Sequence, residues 1–398
     1  MKAPAHVVVI GGGATGAGVT HDLALRGLRV TLLERGELTS GTTGRHHGLL
    51  HSGGRYAVGD RESATECIRE NRIIRRIAPG SLEENGGLFV AVTDDDMDYL
   101  GRFLDACAAC GIPATVHDAE TALRMEPGLN PDVKVAVEVP DATVDPMRLV
   151  LRFFATAQRN GADLRTFTEV TGLACTARTV TGVLARDLVA ERDYELAADL
   201  VVNAAGPWSG QIGRMAGVTV PIQPSPGVLL AVRGRFCSRV LNRLHKSADG
   251  DIIVPQRGLS IVGTTSWVVD DPDVPPVPPD HVALMYAEGA KLVPAVASAE
   301  RRSAWSAVRP LVGGGAASTG RELSRTFQCF DHKQTDGLEG LVTITGGKAT
   351  TMRSMAEATA DVVCAKLGIA AACRTAETVL APHAAYYTER GGRYELGR

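Results

Sequence analysis

Apolar and polar positions alternate in blocks whose spacing predicts the first elements. An unbroken β-branched run, "HVVVI", is followed by Gly11, Gly13 and Gly16, then by Val19 and Leu23 at helical spacing. A second apolar run, Val30 to Leu33, ends on Glu34. This order predicts strand, glycine turn, helix and strand. Further on, "ADLVVNAAGPWSGQI" predicts a buried strand over Leu200 to Asn203 that breaks at Ala204-Ala205-Gly206. "GLVTITGGKATTMRSMAEATADVV" predicts a strand, a Gly346-Gly347 turn and a helix starting near Ala349. "DIIVPQRGLSIVGTTSWVV" alternates like a hairpin turning at "QRG", with one buried and one solvated face. An acidic, proline-rich connector over residues 270–280 leads into "DHVALMYAEGAKLVP", a helix expected to pack over that hairpin's sheet. "LGRFLDACAACGIP" reads as an amphipathic helix ended by Gly111 and Pro113. "VRPLVGGGAASTGRELSRT" carries a glycine-rich interruption, read as a loop near a site entrance or as surface slack, and residues after Pro382 lack periodicity.

A length of 398 residues fits two or three domain-sized units, and 44% hydrophobic residues supply an ordinary globular core. The formal charge of -3, without blocks of Lys or Arg, argues against a nucleic-acid partner. No apolar run approaches the roughly 20 residues that span a bilayer, and the chain starts directly into a strand, so a cytoplasmic location is expected. Eight irregularly spaced cysteines read as reduced packing residues, and Cys107 and Cys110 have no second pair to complete a zinc site. No metal is expected.

The candidate chemistry lies at the glycine turns. Gly11, Gly13 and Gly16 would let backbone N–H groups and a helix N-terminus approach a pyrophosphate. Glu34 would accept hydrogen bonds from a ribose and disfavour a 2′-phosphate. Ser40, Thr42 and Thr43 suit a second cradle around a long cofactor. The turns at Ala205-Gly206 and Gly346-Gly347 are further points of close approach, the latter beneath a helix N-terminus suited to an anionic reduced flavin. Glycine elements this far apart point to one cofactor crossing a discontinuous domain. "GRHHGLLHSGGRYAVGD", residues 44–60, sets three histidines and two arginines among five glycines, a local cationic surface in an acidic protein.

On these residues, with "PDATVDPMRLV", "GTTS" and "VRPLV", the chain resembles the FAD-dependent glycerol-3-phosphate dehydrogenases from about residue 6 to about 382. Within that family it resembles the large, FAD-bearing subunit of the anaerobic bacterial enzyme. The sequence up to "YELGR" is expected to hold no counterpart of that subunit's cysteine-rich segment, and it carries Pro226 and Leu229 where many relatives place Lys-Gly-Ser and sometimes a histidine.

The resemblance implies an α/β chain, α+β overall: a glutathione-reductase-like FAD-binding Rossmann domain with an amino-acid-oxidase-type antiparallel-sheet substrate domain. The FAD domain is expected over 1–80, 145–215 and 330–382, the substrate domain over 81–144 and 216–329, and a tail over 383–398. The implied cofactor contacts are Gly11, Gly13, Ala14, Thr15 and Gly16 at the first turn, then Glu34 and Arg35 after the second strand. Ser40, Thr42, Thr43, His47, Gly48 and Leu50 follow, and the later contacts are Val170, Ala205, Gly206, Gly346, Gly347, Lys348, Ala349 and Thr350.

The resemblance sets His51, Arg55 and Tyr56 beside the flavin and brings Arg309, Arg325 and Lys348 to the same cavity. Arg55, Arg309 and Tyr56 are the expected phosphate contacts, with Arg325, Lys348 and His51 nearer the glycerol hydroxyls. His51, with an ordinary pKa of roughly 6.5, is the expected base and Lys348 its rival. The implied reaction oxidises glycerol 3-phosphate to dihydroxyacetone phosphate, passing electrons to a quinone or a partner chain, with peripheral membrane contact as one arrangement. The open alternatives are a hydroxyphosphonate, 2-hydroxy acid or amine substrate, a non-catalytic FAD protein in a larger complex, and a nicotinamide dehydrogenase.

Overall fold

The computed structural model describes residues 4–313 and 326–388. Its first sheet has six strands in the order Phe327–Asp331, Leu341–Gly346, Leu200–Asn203, β1 (His6–Ile10), β2 (Arg29–Leu33) and Asp163–Arg165. All neighbours pair in parallel except Phe327–Asp331, which runs antiparallel to Leu341–Gly346. Every residue of β1 is buried. Val7 and Val9 enter a helical core on one face, while Val8 and Ile10 enter a core shared with an antiparallel sheet of three strands, residues 168–197. Two buried faces explain why the run is continuously apolar rather than alternating.

Helix α1 (Ala14–Leu25) is buried on nearly all sides, between the sheet and the helices Pro146–Arg159 and Met352–Leu367. Its neighbours come close at Gly18, where a Cβ would lie 2.9 Å from the Ala356 Cβ. The helix predicted near Ala349 begins there as a 3-10 turn, Ala349–Thr351, and continues as Met352–Leu367.

The second sheet has eight strands, built from residues 87–139 and 222–312. The hairpin predicted at "QRG" pairs Ile252–Gln256 with Leu259–Gly263. Its expected solvated face is corrected, because nearly every residue of both strands is buried. Ile253 and Val262 face the helix Pro279–Leu292 through Met285 and Leu292, as the connector led one to expect. Ile252 and Val254 pack on the opposite side with Leu49 and Val240. The short strand Leu49–Leu50, which belongs to a small separate sheet, lies across what would have been the wet face.

The "CAAC" segment closes helix Asp94–Ala109, with Cys107 and Cys110 buried and Gly111 in the left-handed region. Burial pushes the Cys107 thiol up to about 12. At the C-terminal side, Ala385–Thr388 forms a short helix whose Ala385 and Tyr386 are buried, so the tail expected from 383 packs at its start. No described helix is long and apolar enough to cross a membrane.

Candidate active site

A cavity of about 1250 Å³ opens where the loops at the C-terminal ends of β1, β2 and the strands Leu200–Asn203 and Leu341–Gly346 face the eight-stranded sheet. It exceeds the roughly 300–1,000 Å³ common for small-ligand pockets, as a dinucleotide with substrate beside it requires. Gly11, Gly13, Ala14 and Thr15 line it at the N-terminus of α1. Glu34, Arg35, Ser40, Thr42, Thr43 and Val170 continue the wall, and Ala205, Gly206, Gly346, Gly347, Lys348 and Ala349 complete it.

The donors fit a dinucleotide. Both Glu34 oxygens already accept backbone N–H groups, from Gly12 and from Gly36, each at 2.7 Å, which fixes the carboxylate at the cavity wall. The Thr43 hydroxyl accepts from the Ala14 N–H at 2.9 Å, tying the second segment onto the first helical turn. A helix N-terminus free of acidic residues, facing a roomy cavity beside a fixed carboxylate, is the donor set that pyrophosphate and ribose need.

Four expected cofactor contacts do not reach the cavity wall. Gly16 lies against the Gly11 carbonyl, where a Cβ would stand 1.9 Å from that oxygen, so this glycine serves the packing of turn on helix. Gly48 is turned beneath the Gln256 amide and the Val144 carbonyl. Leu50 points into the helical core. Thr350 is buried behind the loop, accepting the His51 N–H at 3.1 Å. Arg325 lies outside the described residues.

His47, His51, Arg55, Tyr56, Lys348 and Arg309 all line the cavity. The rings of His46, His47, His51 and Tyr56 follow one another at centroid separations of 6.3, 6.2 and 5.4 Å. Lys348 Nζ stands 5.3 Å over the Tyr56 ring. The loop can present these side chains because it is pinned from behind. The Ser52 N–H donates to the buried Asp141 at 2.6 Å, and Gly53 takes a φ of 100° against helix α2 (Arg61–Ile77), where a Cβ would meet the Ala64 carbonyl at 2.4 Å. Burial raises the Asp141 carboxyl to about 6.

The expectation of a His51 pKa near neutrality is corrected. Burial, then the charges of Arg55 and Lys348, lower it to about 3, and burial lowers His46 to about 4. His51 is therefore a neutral imidazole, able to accept a proton.

Each cation has partners that sequence spacing does not reveal. Arg55 donates to Asp251 at 2.7 Å, a carboxylate only 1% exposed. Burial opposes the Arg55 charge, but Asp251 outweighs it and raises the pKa. Lys348 lies 3.9 Å from Glu66, which also accepts from the Ser354 hydroxyl at 2.7 Å. Arg309 bonds the Thr265 carbonyl at 3.0 Å and the Thr264 hydroxyl, so its fork is directed along its own sheet. Trp208, Asp273 and Lys246 also line the cavity, and sequence reasoning missed all three. Trp208 sits in "GPWS", directly after the strand break at Ala204-Ala205-Gly206; the other two carry no local signal.

The family model described as FAD dependent oxidoreductase (DAO) matches residues 6–362. One component of the anaerobic glycerol-3-phosphate dehydrogenase of Haloferax volcanii is 47% identical over 96% of this chain and 67% of its own length. Its counterpart in the anaerobic enzyme of Escherichia coli K12 is 45% identical over 94% of this chain and 69% of its own length. Among solved structures, the glycerol-3-phosphate dehydrogenase of Bacillus halodurans complexed with FAD superposes with a TM-score of 0.73 at 26% identity, covering 95% of this chain and 68% of that one. The glycine turn, the fixed Glu34 and the cavity between the two sheets thus have their explanation in a common ancestry, and this chain belongs to the FAD-dependent oxidoreductase family.

Proposed function

We propose that this protein oxidises sn-glycerol 3-phosphate to dihydroxyacetone phosphate. The observation that carries the reading is the single cavity wall shared by His51, Arg55, Tyr56, Lys348 and Arg309, in a chain 45–47% identical to components of two anaerobic glycerol-3-phosphate dehydrogenases. FAD, held along Gly11–Thr15, Glu34 and the Gly346-Gly347 turn, supplies the hydride acceptor. Arg55 and Tyr56 bind the phosphate, with Arg suited to a bidentate bond to its oxygens. Arg309 extends this contact from the opposite sheet.

His51, neutral among cations, takes the hydroxyl proton on a ring nitrogen as the secondary alcohol is oxidised. The charge this leaves on His51 is unfavourable beside Arg55 and Lys348, and the substrate dianion between them offsets it. Glu66 and Asp251 keep Lys348 and Arg55 in place while the substrate binds. Because the similar proteins are components of multi-chain enzymes, electrons leave to a partner chain or to a quinone through one.

The test is anaerobic mixing of the purified holoprotein with glycerol 3-phosphate while flavin absorbance near 450 nm is followed, a wavelength typical of oxidised flavins at roughly that position. Rapid bleaching is expected. A flavin that dithionite bleaches and glycerol 3-phosphate does not would overturn the substrate and leave the family membership standing.

A further inference from the structure

Charge balance separates the cations on the cavity wall. Arg35 stands against Asp273, Arg55 against Asp251 and Lys348 against Glu66. Arg309 is held by the Thr265 carbonyl and the Thr264 hydroxyl of its own sheet. Arg45 and Lys246 line the same cavity and stand in no ion pair among the described residues. Lys246 differs from Arg45 in where its backbone stands. It lies on the loop between strands Val240–Arg243 and Ile252–Gln256, and that loop wraps the Arg55 side chain. The Ser247 hydroxyl donates to the Arg55 carbonyl at 3.2 Å, and Arg55 Nη2 donates to the Ala248 carbonyl at 3.2 Å. Asp251 closes the loop by accepting both the Ala248 N–H at 2.8 Å and Arg55 Nη2 at 2.7 Å.

A dianionic phosphate leaves water only for a site with positive charge to spare. At Arg55 that charge is already balanced by a buried carboxylate, and at Lys348 by Glu66. We propose that Lys246 is a further phosphate-binding residue, which with Ser247 extends the Arg55 site and gives the pocket its preference for phosphorylated over uncharged polyols. The inference rests on the glycerol 3-phosphate reading for its natural ligand, and on the loop geometry for its position. Lys246 is exposed and lines the cavity, its ammonium on a four-carbon stem. It is suited to meet a phosphate arriving from solvent as a point charge, while the pre-organised Arg55 fork fixes its orientation.

The experiment uses the full-length holoprotein as wild type, Lys246→Met and Lys246→Arg. Two quantities are measured: the glycerol 3-phosphate concentration that half-saturates flavin bleaching, and the affinity for inorganic phosphate by calorimetry. Lys246→Met is expected to weaken both by about tenfold, as loss of one charged hydrogen bond implies, with Lys246→Arg recovering most of it. The limiting bleaching rate is expected to stay within about twofold, because the residue meets the phosphate rather than the reacting carbon. Wild-type affinities in Lys246→Met, or no phosphate binding by the wild type, would overturn the proposal. If glycerol 3-phosphate bleaches no variant, the substrate reading fails, and the phosphate affinities alone decide whether Lys246 belongs to an anion site.

Discussion

His51 is a histidine that its surroundings keep uncharged. Burial and the cations Arg55 and Lys348 lower its pKa to about 3, so the neutral form persists throughout the physiological range. If His51 is the proposed base, it is deprotonated before substrate arrives, yet weak until the substrate's negative charge offsets the neighbouring cations. Replacing it with glutamine preserves polarity and approximate size while removing the proton acceptor. His51→Gln is expected to slow flavin reduction by glycerol 3-phosphate by about 10²–10⁴-fold, read by anaerobic stopped-flow absorbance, with FAD content unchanged. A wild-type rate in that variant would move the base to Lys348. Its place beside the cavity was legible in sequence and its protonation was not. Arg55 is a local neighbour, whereas Lys348 comes from the far end of the chain, and the burial that lowers the pKa most comes from the assembled cavity.

At the scale of elements, the glycine-turn unit was legible because every part is local: β1, the turn, α1 and β2 follow each other without interruption, and only short connections are needed. The second faces of elements were less so. The hairpin at "QRG" alternates as if half-exposed, and its expected wet side is covered by the short strand Leu49–Leu50. The same blindness hid His21 in the middle of α1. Its side chain is fully buried, edge-on to Phe153 at 5.4 Å, with neither ring nitrogen hydrogen-bonded. Burial lowers its pKa to about 4. An unfolded histidine takes up its proton below about pH 6.5. The unfolded state therefore binds more protons between pH 6.5 and 4, and stability present above that window falls as the pH drops through it. From pH 7 to pH 5 this group alone costs about 2 kcal/mol. His21→Leu is expected to lose about 2 kcal/mol less than wild type over that interval in urea unfolding of the holoprotein; equal losses would show that His21 is protonated without penalty.

Across the whole molecule, the two sheets are joined over the cavity by the connector that leaves strand Leu259–Gly263 and enters helix Pro279–Leu292. Its acidic, proline-rich composition was plain in sequence, but its destination was not, since that depends on side chains far away in the chain. Asp273 accepts from Arg35 Nη2 and from Trp208 Nε1, each at 2.7 Å, and the Arg35 guanidinium stacks 4.7 Å from the Trp208 ring centroid. All three residues line the cavity beside Glu34. The connector thus ties the eight-stranded sheet to the rim of the cavity beside Glu34. Prolines on either side of Asp273 limit the conformations lost when the tie forms. Asp273→Ala removes the oxygen that accepts both bonds and leaves every glycine turn intact. FAD is then expected to dissociate about fivefold faster, as loss of roughly 1 kcal/mol of hydrogen bonding implies, while thermal stability of the stripped protein hardly changes. The measurement is the recovery of free-flavin fluorescence after dilution. An unchanged rate would mean that cofactor leaves by a path that does not cross this rim, and that the connector joins the sheets without guarding the site.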